Sequence, residues 1–123
     1  MGAITVVFYH DEHGCPALDW LEELPGRAYA KGFVRIERLA QLGHELRRPE
    51  ADYLRDGIHE LRWRIGSVNY RVLYFFHGRE AVVLAHGLTK EERVPEQDIN
   101  LAVKRKALYL EKPDEHSYHE ELP

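Results

Sequence analysis

The sequence predicts an α+β fold in which one antiparallel sheet is covered by helices. Gly57 to Lys90 reads as three consecutive strands separated by two short breaks. Pro16 to Leu42 reads as two amphipathic helices joined at Pro25-Gly26. Pro95-Glu96-Gln97-Asp98 reads as a last helix start, with proline early and acids in the first turn. The expected order is an N-terminal strand, an αα-hairpin, three to four further strands and a C-terminal helix.

Ile4 to Tyr9, rich in β-branched residues, is the first strand. The loop after it holds His10 and His13 at ligand-like spacing. No Cys or further ligand set accompanies them, so no metal is expected. Pro16 suits the first position of a helix whose apolar side is Ala17, Leu18, Leu21 and Leu24, anchored by Trp20. Tyr29, Phe33, Ile36, Leu39 and Ala40 make the buried stripe of a longer helix that Gly43 caps. Arg27, Lys31, Arg35 and Arg38 fall mostly outside that stripe, as a solvated basic surface. Glu45 to Asp56 is a polar connector with a short strand near Tyr53-Leu54. Ile99, Ala102, Val103, Lys106 and Leu110 lie near one face of the last helix, which Pro113 stops. A single domain is expected over residues 1–112, with 113–123 an acidic, mobile tail.

Strand register makes the central stretch informative. If Gly66-Ser67 closes the first hairpin, Ile65 faces Val68 and Arg62 faces Arg71. If Gly78-Arg79 closes the second, His77 faces Glu80 and Arg71 faces His86. Opposed residues share a face, so Arg62, Arg71 and His86 form a row. Arg64 flanks it, and Lys90 joins it if the strand stays extended. A three-residue loop would flip a face. Leu61, Trp63, Ile65, Tyr70, Val72, Tyr74, Phe76, Val83 and Ala85 are expected opposite the row, under the helical hairpin. Leu73, Phe75, Val82 and Leu84 are expected on the charged face, partly under the last helix. Opposed arginines repel unless an anion or an acidic partner such as Glu60 relieves them.

One cysteine in 123 residues excludes an internal disulfide and fits a reducing cytosol. No leader pattern or membrane-spanning run is evident, so a cytoplasmic protein is expected. The net charge is −4, but residues 27–109 hold 16 Lys and Arg against 11 Asp and Glu, a net of +5. A local basic site is therefore compatible with the acidic total. Lys104-Arg105-Lys106 is a further basic run.

The strings DWLEELP, RLAQLG, DGIHELRWRIGSVNYRVLYFF, VLAHGLTK and VPEQDINLAVKR, spanning roughly residues 15–110, resemble the RelE/ParE superfamily of type II toxin–antitoxin toxins. The similarity is to its HigB-like, phage-derived branch. Where that family usually carries two lysines after His-Gly-aromatic, this chain has Leu88 and then Lys90-Glu91. The resemblance implies a RelE-like fold and a metal-free, cofactor-free endoribonuclease that cuts mRNA, often on the ribosome. It also implies an antitoxin partner, typically with a helix-turn-helix domain. The alternative it allows is a non-catalytic member that binds DNA gyrase, as ParE-type relatives do, or only its antitoxin. Carried over by motif, Arg62, Arg71, His86 and Lys90 are the catalytic candidates. Arg71 and Arg62 would clamp phosphate, His86 would act as acid or base, and Lys90 would stabilise charge. Arg64, Arg93 and Lys104 are the candidate RNA contacts.

Overall fold

The computed structural model describes residues 4–89 and 92–119. The elements are β1 (Thr5–Tyr9), α1 (Pro16–Glu22), α2 (Gly26–Leu42), β2 (Ala51–Arg55), β3 (Ile58–Ile65), β4 (Val68–His77), β5 (Ala81–Thr89), α3 (Glu96–Glu111), α4 (Pro113–His116) and β6 (Ser117–Tyr118). They form the mixed α+β, RelE-like arrangement that the sequence predicts. The sheet has the order β2-β3-β4-β5-β1-β6. β1 runs parallel to β5, and the other pairings are antiparallel. None of the described helices is long and apolar enough to cross a membrane.

Each sheet face has its own core. The α1–α2 hairpin packs Leu18, Leu21, Ile36 and Leu39 against Phe8, Leu61, Trp63, Val72 and Tyr74. Two indoles join hairpin to sheet. Trp63 Nε1 donates to the Ala28 carbonyl at 3.0 Å, and Trp20 Nε1 donates to Thr89 Oγ1 at 3.0 Å. Of the expected α2 stripe Ile36 and Leu39 are buried, while Tyr29, Phe33 and Ala40 flank it half-buried. Its centre is Ala28, Gly32, Ile36 and Leu39. The reason is Trp63, which comes so close that a Cβ on Gly32 would stand 2.5 Å from its ring. Gly87 plays the same part for Trp20, whose ring occupies the space of a side chain there.

On the other face α3 lays Ile99, Ala102 and Tyr109 against Leu73, Phe75, Val83, Ala85 and Leu88. Leu110, expected on this face, is exposed at 47%. Four residues of β5 lie opposite to expectation. Val83 and Ala85 belong to the α3 side, while Val82 and Leu84 belong under the hairpin. The cause is the second turn. His77 pairs with Ala81, so three residues close it rather than two, and the face flips. An irregularity then follows. Tyr74 pairs with Leu84 but Leu73 pairs with His86, which leaves Ala85 as the extra residue of a bulge. The bulge restores the original faces beyond it.

The C-terminal segment, expected to be a mobile tail, has regular structure as far as Tyr118. α4 makes one turn and β6 pairs Ser117 with Tyr9 and Tyr118 with Phe8. His116 stacks on Tyr9, ring centroids 5.1 Å apart.

Candidate functional site

The first hairpin has the register expected of it. Arg62 and Arg71 are direct partners across β3 and β4. The β2–β3 ladder stops at Ala51 and Leu61, apart from one bond from Arg62 N to the Glu50 carbonyl. Beyond that point β3 is the edge of the sheet, and a cleft of about 380 Å³ opens there. Arg62, Arg64 and Arg71 line it, with Lys31 and Arg35 of α2, and Glu50 is the one acid among the described residues that line it. Arg35 and Arg38 both hold Glu50, at 2.7 and 2.5 Å. That grip keeps its carboxyl below the usual range, Arg38 contributing most.

Glu60 answers the repulsion between the opposed arginines. It lies two residues before Arg62 on the same face of β3 and is buried. Its carboxylate oxygens stand 3.2 Å from Arg71 Nε and 3.5 Å from Arg62 Nη1. Arg71 is itself buried at 7% exposure, not in solvent as its place on a charged face suggests. Its Nη2 donates to the Glu92 carbonyl at 2.5 Å. Among the described residues Nη1 has no hydrogen-bond partner. Arg62 Nε donates to the Pro49 carbonyl at 2.8 Å and the side chain stays about a third exposed. Arg64 is exposed, its Nε on the Gly66 carbonyl.

His86 shares the face of Arg71 but not its partner. The turn and bulge set Arg71 opposite Leu88 and His86 opposite Leu73, so the expected Arg71–His86 pair does not form. α3 covers the imidazole. Nε2 lies 2.6 Å from Asp98 Oδ1, and Arg105 Nη1 lies 3.2 Å from Nδ1 while donating to the Ala85 carbonyl at 2.7 Å. A neutral ring donating from Nε2 and accepting at Nδ1 satisfies both contacts. Burial holds its pKa below the ordinary value, against the hydrogen bond it makes to Asp98 and with the help of Arg105.

The cleft thus gathers Arg62, Arg64 and Arg71. His86, Arg93 and Lys104 do not line it. Arg93 is exposed between β5 and α3. Lys104 lines a separate cavity of about 510 Å³ with Tyr9, Asp11, His13 and Arg105. Lys90 and Glu91 lie outside the described residues. Sequence reasoning placed Lys31 and Arg35 on a solvated surface, and nothing local distinguishes them. Glu60 was legible, because the period of two puts it beside Arg62. No three His, Cys, Asp or Glu side chains among the described residues are grouped to hold a metal.

An αα-hairpin on one side of a small, mostly antiparallel sheet and a helix on the other form a RelE-like arrangement. The model of the phage-derived Gp49-like proteins (DUF891) matches residues 19–107, from α1 into α3, and the chain belongs to that family, a RelE/ParE-like toxin family. Among curated proteins no match is found. Membership implies a cognate antitoxin as partner.

Proposed function

We propose that this chain is the HigB-like toxin of a type II toxin–antitoxin pair and cleaves mRNA, on the ribosome, without a metal. The observation that supports this is the convergence of Arg62, Arg64, Arg71, Lys31 and Arg35 on one open cleft whose one acid among the described residues, Glu50, is already held by arginines. In metal-free cleavage the 2′-hydroxyl attacks the adjacent phosphorus and gives its proton to water, while the bond to the 5′-oxygen breaks and that oxygen takes a proton from water, leaving a 2′,3′-cyclic phosphate and a 5′-hydroxyl. Arginines aimed at the phosphate stabilise the pentacoordinate transition state, where the charge develops. Arg62 and Arg71 take that role, with Arg64 on a neighbouring phosphate. Lys90 is assigned to it from the family motif alone. His86, with both ring nitrogens engaged, acts here as a positioning residue that ties α3 to the sheet. The antitoxin, of helix-turn-helix type, covers the basic middle of the chain, where opposite charge favours docking.

The engagement of His86 also favours a second reading, in which the protein inhibits a target such as gyrase by binding alone. Incubation of the purified protein with mRNA, with and without ribosomes, separates the two. Cleavage that Arg62→Ala abolishes supports the nuclease. Intact mRNA under both conditions, together with inhibited gyrase supercoiling, supports the second reading.

A further inference from the structure

We propose that the cleft formed by His44, Arg47, Arg48, Tyr53 and His59 is a nucleotide subsite, which takes a base and phosphate of the single-stranded RNA beyond the arginine cleft. The proposal rests on RNA being the substrate, as in the reading above. The cleft measures about 400 Å³ and lies at the other side of the segment that walls the first one. Arg48 and Ala51 line this cleft, and Pro49 and Glu50 between them line the arginine cleft. A strand leaving the first site crosses one short stretch of backbone to reach the second.

The side chains suit a nucleotide. Tyr53 sits on β2, an edge strand of the sheet, and is 56% exposed. Its ring is nevertheless fixed. The hydroxyl accepts a hydrogen bond from Gly57 N at 3.1 Å, and His59 meets the ring edge-on at 5.1 Å. A fixed aromatic with surface in solvent is a stacking platform for a base. Arg47 is exposed, and its guanidinium makes no hydrogen bond or ion pair with the described residues. Arg48 is held through Asp52 Oδ2, at 2.9 Å from Nε and 2.8 Å from Nη2, and remains 75% exposed. The two guanidiniums supply donors for a phosphate. His44 and His59 both rest on Phe76, ring centroids 3.6 and 5.3 Å away, and offer edge hydrogen bonds to a base. This mixture of rings and cations, with one carboxylate occupied by Arg48, fits nucleic acid better than an apolar peptide.

The test is binding, read separately from cleavage. A fluorescein-labelled single-stranded RNA of about 12 nucleotides, long enough to cross both clefts on single-strand site sizes, is titrated with the full chain by anisotropy. Tyr53→Ala is expected to weaken binding about tenfold, as loss of one base stack does, and Tyr53→Phe to bind like the wild type. Arg47→Ala, at an exposed position, is expected to weaken binding and lower the salt slope by about 0.7. An RNA with 4-thiouridine is expected to crosslink within residues 51–59. If Tyr53→Ala and Arg47→Ala bind as the wild type does while Arg62→Ala loses affinity, the subsite is wrong and the arginine cleft stands. If the two variants lose only the antitoxin, the surface is a protein interface and the proposal falls. If the wild type binds no RNA, the subsite and the nuclease reading fall together.

Discussion

The two ends of the charged sheet face carry similar residues in opposite surroundings. At the β3 edge Arg62, Arg64 and Arg71 line a cleft with Lys31 and Arg35 of α2. On β5 His86, on the same face, lies under α3 between Asp98 and Arg105. At the open end the protein satisfies its cations only in part, and Arg71 keeps a buried nitrogen without a partner among the described residues. At the closed end both imidazole nitrogens are satisfied. Sharing a face makes residues candidates for one site, and the element above them decides which of them can meet a ligand.

The largest effect is expected at the open end. Arg71→Ala and Arg62→Ala should each slow cleavage by about 10²–10³-fold, the usual loss for one positioned transition-state donor. Their melting curves should differ. Arg71→Ala removes the nearer partner of buried Glu60 and should cost about 3 kcal/mol, in line with a broken buried pair. Arg62→Ala, at a partly exposed site, should cost under about 1 kcal/mol. Glu60→Gln should recover part of the stability that Arg71→Ala loses. An Arg62→Ala protein that cleaves at the wild-type rate would break the assignment of the cleft.

At the closed end the balance should reverse. His86→Ala removes a hydrogen bond to a carboxylate and exposes Arg105 to new surroundings. It should cost about 1.5–3 kcal/mol, several degrees or more in Tm, with cleavage per folded molecule changed only a few-fold. A hundredfold loss of rate at unchanged Tm would mean that His86 performs chemistry after all.

The pH dependence sharpens the same contrast. Burial lowers the pKa of His86, and Arg105 adds to it while Asp98 opposes. Burial also lowers that of His59, with His44 and Lys106 adding and Asp52 opposing. The unfolded chain therefore binds protons near pH ~6.5 that the folded chain does not, so stability falls as pH drops below that value. Denaturant midpoints between pH 8 and 5.5 should show the decline, and His86→Asn should flatten it. A midpoint that rises on acidification would mean that Asp98 holds an imidazolium.

The smallest effect is expected far from both ends. Truncation after Lys112 removes the His116–Tyr9 stack, the β6 pairing and the bond from His10 N to the His116 carbonyl. The loss should be about 1 kcal/mol, a few degrees in Tm. An unchanged Tm would show that β6 adds nothing to β1.

By itself the sequence determined the element order from β1 to α3 and the first hairpin. Alternation over Ile58–Ile65 and Tyr70–Phe76, with a two-residue Gly66-Ser67 turn, leaves one register that buries the apolar face, so Arg62 had to meet Arg71. Glu60 was readable by the same period. Tertiary structure decided the rest. The three-residue turn and the bulge at Ala85 depend on how β5 fits between β4, β1 and the two layers of helices, and local composition does not encode that fit. Lys31 and Arg35 joined the cleft because Gly32 lets α2 close on Trp63, a contact between residues 31 positions apart. His86 was removed from it because α3 descends on β5 and brings Asp98 and Arg105 to the ring. A short-range pattern specifies which way a side chain points, whereas its exposure and partners depend on chain segments that the pattern does not contain.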